Sequence, residues 1–130
     1  MTNLDARFKW VMLVSGVLTC TMLYAFVAPQ ASLMSTFGAS LEGPVAEIVV
    51  RNWGALIGLV GAMLIYGAFA PAVRPLVLVV AGASKLTFIG LVLAHGRELA
   101  GGSARIAIAV DLVMVGLFVA YLARARRRPA

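Results

Sequence analysis

Four apolar runs, each about 20 residues long and divided from the next by proline, glycine or charge, take up nearly all of this 130-residue chain. A helix rises about 1.5 Å per residue, so each run is long enough to cross a hydrocarbon core of about 30 Å. Lipid offers no water to backbone N–H and C=O groups, and each run must therefore satisfy them internally as a helix. The expected fold class is all-α, an integral membrane protein with one transmembrane domain over residues 1–130. Composition agrees, since 62% of residues are hydrophobic and 12% charged, with a mean hydropathy of +1.00, whereas soluble domains carry about 25% charged residues. No length is left over for a soluble domain.

The first helix is expected over about 9–28, closed by Pro29, and the second over 44–69, with Pro44 suited to its first turn and Pro71 and Pro75 ending it. The third is expected over about 76–94 and the fourth over about 103–121, with Ser103 as cap and a basic tail over 124–130. Between the first two lies a semi-polar stretch, 30–43, which reads as a short amphipathic segment at the membrane surface. Short links force neighbouring helices to run antiparallel, giving a four-helix up-and-down bundle.

Of the 11 Lys and Arg residues, seven (Arg7, Lys9, Arg74, Arg124, Arg126, Arg127 and Arg128) fall at the termini or the link between helices 2 and 3. The opposite loops hold Arg97 and Arg105. The excess of positive charge marks the cytoplasmic side, so both termini are expected to be cytoplasmic, in a multi-pass protein of the cell inner membrane. Trp10, Tyr66 and Tyr121 would then lie near the inner boundary, with Tyr24 and Trp53 towards the outer one. The same rule accounts for most of the net charge of +6, and nucleic acid is not expected as a partner. Arg7, Lys9, an apolar run and Cys20 imitate a lipoprotein signal, but Thr19 stands where a small residue is needed and the apolar run continues to Val27. An uncleaved first helix is expected.

On helix 2, Glu47, Arg51, Gly54, Gly58, Gly61 and Ile65 recur at spacings of four and three, which places them on one face. Lipid rewards neither a charge nor bare glycine backbone, so this face is expected to pack inward. Gly54, Gly58 and Gly61 form a small-residue seam, and Gly82 offers a second on helix 3 beside Ala81 and Ser84. The seam is expected to be used within one subunit; a homo-oligomer or a membrane partner protein is the alternative.

Glu47, Arg51, Lys85 and Asp111 are the ionisable residues at membrane depth, and their formal charges cancel. Glu47 and Arg51 are spaced to pair on one helix, and Lys85 and Asp111 to pair between helices 3 and 4. One reading makes these pairs structural, in a non-enzymatic accessory or scaffold subunit. The other makes Glu47, Arg51, Asn52, Lys85 and Asp111, with Ser84, Ser15 and Thr19, the lining of an outward-facing polar cleft. Such a cleft would belong to a binding protein or isomerase-like enzyme for a lipophilic small molecule. Conduction along the charges is disfavoured, because helices 2 to 4 offer no ionisable group between Lys85 and their cytoplasmic ends. No catalytic residue is assigned. His95, the one histidine, has the chemistry of an axial haem ligand, but at a helix end it reads as a solvated loop residue, and no cofactor is expected. One His and one Cys cannot fill a metal shell. Ser15, Thr19 and Thr21 are expected to bond to backbone carbonyls one turn back.

The end of helix 1 at Ala28-Pro29-Gln30 with Phe37-Gly38 beyond it, the Arg51-Asn52-Trp53-Gly54 start, and the glycine-rich helix 2 resemble small bacterial membrane proteins of DoxX-like type. The resemblance spans most of the chain. It implies an inner-membrane four-helix bundle and carries no catalytic residues over to this sequence.

Overall fold

A computed structural model describes residues 3–96 and 103–127. These residues form helices α1 (Asn3–Cys20), α2 (Leu23–Val27), α3 (Pro29–Phe37), α4 (Pro44–Phe69), α5 (Arg74–His95) and α6 (Ala104–Arg126), with a 3-10 turn at Pro71–Val73. Four stretches are long and apolar enough to cross a membrane: Asn3–Val27, which comprises α1 and α2, Pro44–Phe69, Pro71–His95 and Ala104–Arg126. Large apolar side chains such as Val14, Leu59, Leu76, Val79 and Val113 lie exposed around the bundle. A surface that water would penalise is the one lipid favours.

The second stretch has the bounds expected of it. The first does not, because its helix starts six residues before Lys9, at Asn3, and is interrupted between Cys20 and Leu23. There the backbone bonds tighten to i−3, from Thr21 N to Leu18 O (3.2 Å) and from Met22 N to Thr19 O (3.1 Å). The Thr21 hydroxyl also donates to Leu18 O; a side chain that competes for a carbonyl one turn back loosens the helical ladder. The fourth stretch runs on to Arg126, so Arg124 and Arg126 continue the helix rather than forming a separate tail. The expected loop residues Arg97, Glu98, Gly101 and Gly102, and the tail beyond Arg127, lie outside the described residues.

Residues 30–43 do more than lie on a surface. Pro29, Ser32 and Leu33 of α3 are buried, and Ser103 N donates to Ser35 O at 3.0 Å, joining α3 to the start of α6. Gly38 ends α3 in the left-handed conformation (φ 72°) and Gly43 opens α4 at φ 105°. Both are backbone shapes that favour glycine.

The antiparallel packing of α4 on α1 and α2 rests on close backbone approach. A methyl at Gly54 would sit 2.6 Å from Phe26 N, and one at Gly61 would sit 2.8 Å from both Cys20 N and Gly16 O. At Gly58 the Leu23 side chain fills the space, and at Gly16 the opposing atoms are Ile65 and Gly61 O. The small-residue seam is thus used inside the subunit, against helix 1. Gly82 is buried but has no heavy atom within 4 Å of where a methyl would point, so it is not a close-packing position.

Two apolar clusters hold the ends of the bundle. One joins Phe8, Met12, Leu64, Ala68, Val77, Leu78, Met114, Phe118 and Tyr121; the other joins Ala25, Leu33 and Val50 with Met22, Phe37 and Trp53. Phe8 stacks on Tyr121 with ring centroids 4.1 Å apart, which brings the two chain ends to the same end of the bundle. Tyr121 is therefore buried, not the boundary aromatic expected from its position near a helix end.

Candidate functional site

A cavity of about 520 Å³ opens between the two clusters, on the side away from the chain ends. Each of the four long apolar stretches lines it: Thr19, Thr21 and Met22 from the broken first one, Trp53 and Ile57 from α4, Ser84, Lys85 and Phe88 from α5, Asp111 and Met114 from α6. Ser32, Ser35 and Thr36 of α3 add a polar rim. The interruption of helix 1 thus coincides with the cavity wall.

The charged floor is the Lys85–Asp111 pair. Lys85 Nζ donates to Asp111 Oδ1 at 2.9 Å and to Thr19 Oγ1 at 3.2 Å, and Thr19 in turn donates to Ser15 O at 2.6 Å. The Lys85 side chain is 8% exposed and that of Asp111 19%. The pairing read from charge balance is present, and Thr19 adds helix 1 to it, so three long helices converge on one ammonium group. Burying a charge in this way costs several kcal/mol unless it is paired and hydrogen-bonded, and both conditions are met.

The other sequence-derived cleft residues lie elsewhere. Arg51 Nη2 meets Glu47 Oε1 at 2.8 Å, as the spacing of four suggested, but the two side chains are 39% and 47% exposed. Arg51 also donates to Phe26 O at 2.6 Å, so the pair ties the end of α2 to the start of α4 outside the cavity. Charges and glycines share one helical face, but the neighbouring helix covers it only over the glycines, and the first turns of α4 extend beyond that cover. Asn52 is exposed and does not line the cavity, and Ser15 is buried outside it. His95 is exposed at the end of α5, also away from it.

Arg74 is a polar centre that charge counting missed. Counted as a basic link residue, it is 1% exposed. Its guanidinium donates to Gly67 O (3.1 Å) and Ala68 O (2.9 Å), the last carbonyls of α4, and to Tyr121 Oη (3.3 Å). Tyr121 Oη donates to Asp5 Oδ1 at 2.7 Å. Helix C-termini carry unsatisfied carbonyls and partial negative charge. An arginine five residues past the last helical residue, Phe69, is placed to cap them, a signal the sequence did contain.

Among the described residues no three His, Cys, Asp or Glu side chains come together, so the cavity floor offers charge and hydrogen bonds rather than a metal shell. Comparison with family models, curated proteins and solved structures finds no match. The resemblance to the DoxX-like type gains no support from them.

Proposed function

We propose that this chain is a multi-pass inner-membrane protein, with both termini in the cytoplasm, that binds a lipophilic small molecule by its polar head. The observation that carries this reading is the cavity itself: about 520 Å³, apolar and aromatic in its walls, with the Lys85–Asp111 pair on its floor. Small-molecule sites enclose about 300 to 1,000 Å³ and combine apolar walls with a few convergent polar groups. Ionisable residues at membrane depth are costly and are retained chiefly where they serve a site. The accessory or scaffold alternative draws less support, because the glycine face of α4, the longer of the two seams it would offer to a partner, is covered by α1 and α2 of the same chain. Orientation rests on the basic residues gathered at the end that holds both termini, and the DoxX-like resemblance favours the inner membrane.

Native mass spectrometry of protein released from native-lipid nanodiscs tests the reading. The wild type should retain a small-molecule adduct that Lys85→Met/Asp111→Asn loses. A protein retained bare, or only with another polypeptide, would overturn it in favour of the scaffold. Reporter fusions at each terminus, both active only in the cytoplasm, test the orientation.

A further inference from the structure

We infer that the cavity selects a neutral head group that both donates and accepts a hydrogen bond, an alcohol or an amide on an apolar body, over a carboxylate or an ammonium. The inference rests on the binding role proposed above and adds the chemical class of the ligand.

The floor is balanced in charge, one ammonium against one carboxylate 2.9 Å apart. Glu47 and Arg51, the other pair at this end, are turned to the surface and do not line the cavity. An ammonium has three N–H donors; Lys85 uses two among the described residues, on Thr19 Oγ1 and Asp111 Oδ1. Asp111 accepts through Oδ1, and its Oδ2 has no donor among them. No buried side-chain nitrogen or oxygen lacks a partner among the described residues, so Oδ2, which has none, is an open atom of a cavity-lining side chain. Two neighbouring side chains that line the cavity thus keep one uncommitted N–H and one uncommitted carboxylate oxygen among the described residues.

A hydroxyl or primary amide answers both at once and leaves the pair intact. A carboxylate would accept from Lys85 but face Asp111, and an ammonium would donate to Asp111 but face Lys85; each brings an unbalanced charge into a poorly solvated site. Above the floor, Trp53 and Phe88 lie nearly parallel at 26° with centroids 6.5 Å apart, and Ile57, Val60, Ile106 and Val110 complete an apolar wall. The volume equals about 17 water-sized groups at roughly 30 Å³ each, room for a chain or ring system of that order.

Trp53 reports on the site. The chain has two tryptophans, and Trp10 is 66% exposed on the outside of the bundle, so Trp10→Phe leaves Trp53 as the single tryptophan, excited selectively over the tyrosines at the red edge of the absorption band. In nanodiscs, quenching of Trp53 by brominated twelve-carbon chains ending in hydroxyl, primary amide, carboxylate or ammonium is compared with the same titrations on Trp10→Phe/Lys85→Met/Asp111→Asn. The alcohol and amide should bind at least tenfold more tightly than either charged probe, and the preference should vanish in the variant lacking the pair. A carboxylate or ammonium that binds as tightly as the alcohol would overturn the neutral-head inference while leaving a binding cavity. Quenching by all four probes that is equal in the two proteins would show membrane partitioning alone, and would overturn the binding role with it.

Discussion

Replacing Asp111 with asparagine keeps the side chain's shape and removes the one anion beside Lys85. The ammonium is then left 8% exposed with neutral acceptors, Thr19 Oγ1 at 3.2 Å and the amide oxygen of the new side chain, in place of a carboxylate. Removing one partner of a buried pair costs about 3 to 5 kcal/mol. Asp111 borders the cavity and is itself 19% exposed, so the lower end applies: about 3 kcal/mol, or about 150-fold in the unfolding equilibrium. Lys85→Met should cost about 2 kcal/mol, because the carboxylate it strands faces the cavity rather than packed protein. The double variant strands no charge and should also cost about 2 kcal/mol, leaving a coupling of about 3 kcal/mol between the sites. Hydrogen bonds between membrane helices average about 0.6 kcal/mol in such cycles, so the coupling separates an ion pair from a polar contact. Unfolding in mixed micelles titrated with SDS, followed by circular dichroism, measures all four proteins. A single variant within about 0.5 kcal/mol of wild type, or a double variant that costs the sum of the singles, would refute the reasoning.

Glu47→Gln should cost less than about 1 kcal/mol in the same titration, because its pair with Arg51 is exposed; a loss as large as that of Asp111→Asn would show that both pairs are buried in the membrane. Gly54→Ala and Gly61→Ala should each cost about 2 kcal/mol or more, since the added methyl meets backbone at 2.6 to 2.8 Å. Gly82→Ala and Gly90→Ala, with open space in the same direction, should be neutral or stabilising by up to about 1 kcal/mol. Arg74→Lys should cost about 2 to 4 kcal/mol, because an ammonium cannot reach Gly67 O, Ala68 O and Tyr121 Oη with one planar fork; retention of wild-type stability would remove Arg74 from the helix cap.

Local rules determined a good deal of this protein. Apolar run length set the number of long apolar helices, Pro44 and Pro71 set the bounds of α4, and short links set its antiparallel neighbours. Charge balance at depth was enough to pair Lys85 with Asp111, because an unpaired charge has few other solutions inside a bundle. The glycines at 54, 58 and 61 announced a close helix contact, since nothing but another backbone profits from three bare faces in register.

Tertiary structure decided which surfaces those patterns meet. A helical face is a direction, and whether a helix covers it along its whole length depends on where the neighbour stops. Helix 1 ends beside Arg51, so Glu47 and Arg51 come out at the surface although they share the face of buried Gly54. Tyr121 and Arg74 look like boundary residues by their place in the chain, yet the ends of α1, α4 and α6 meet there and bury both. The break at Thr21–Met22 is a balance of a few hydrogen bonds that helical periodicity does not register. The cavity depends on all of these together: it exists because a broken helix, a tucked-in α3 and an unfilled space above Lys85 coincide, and no single segment of sequence carries that volume.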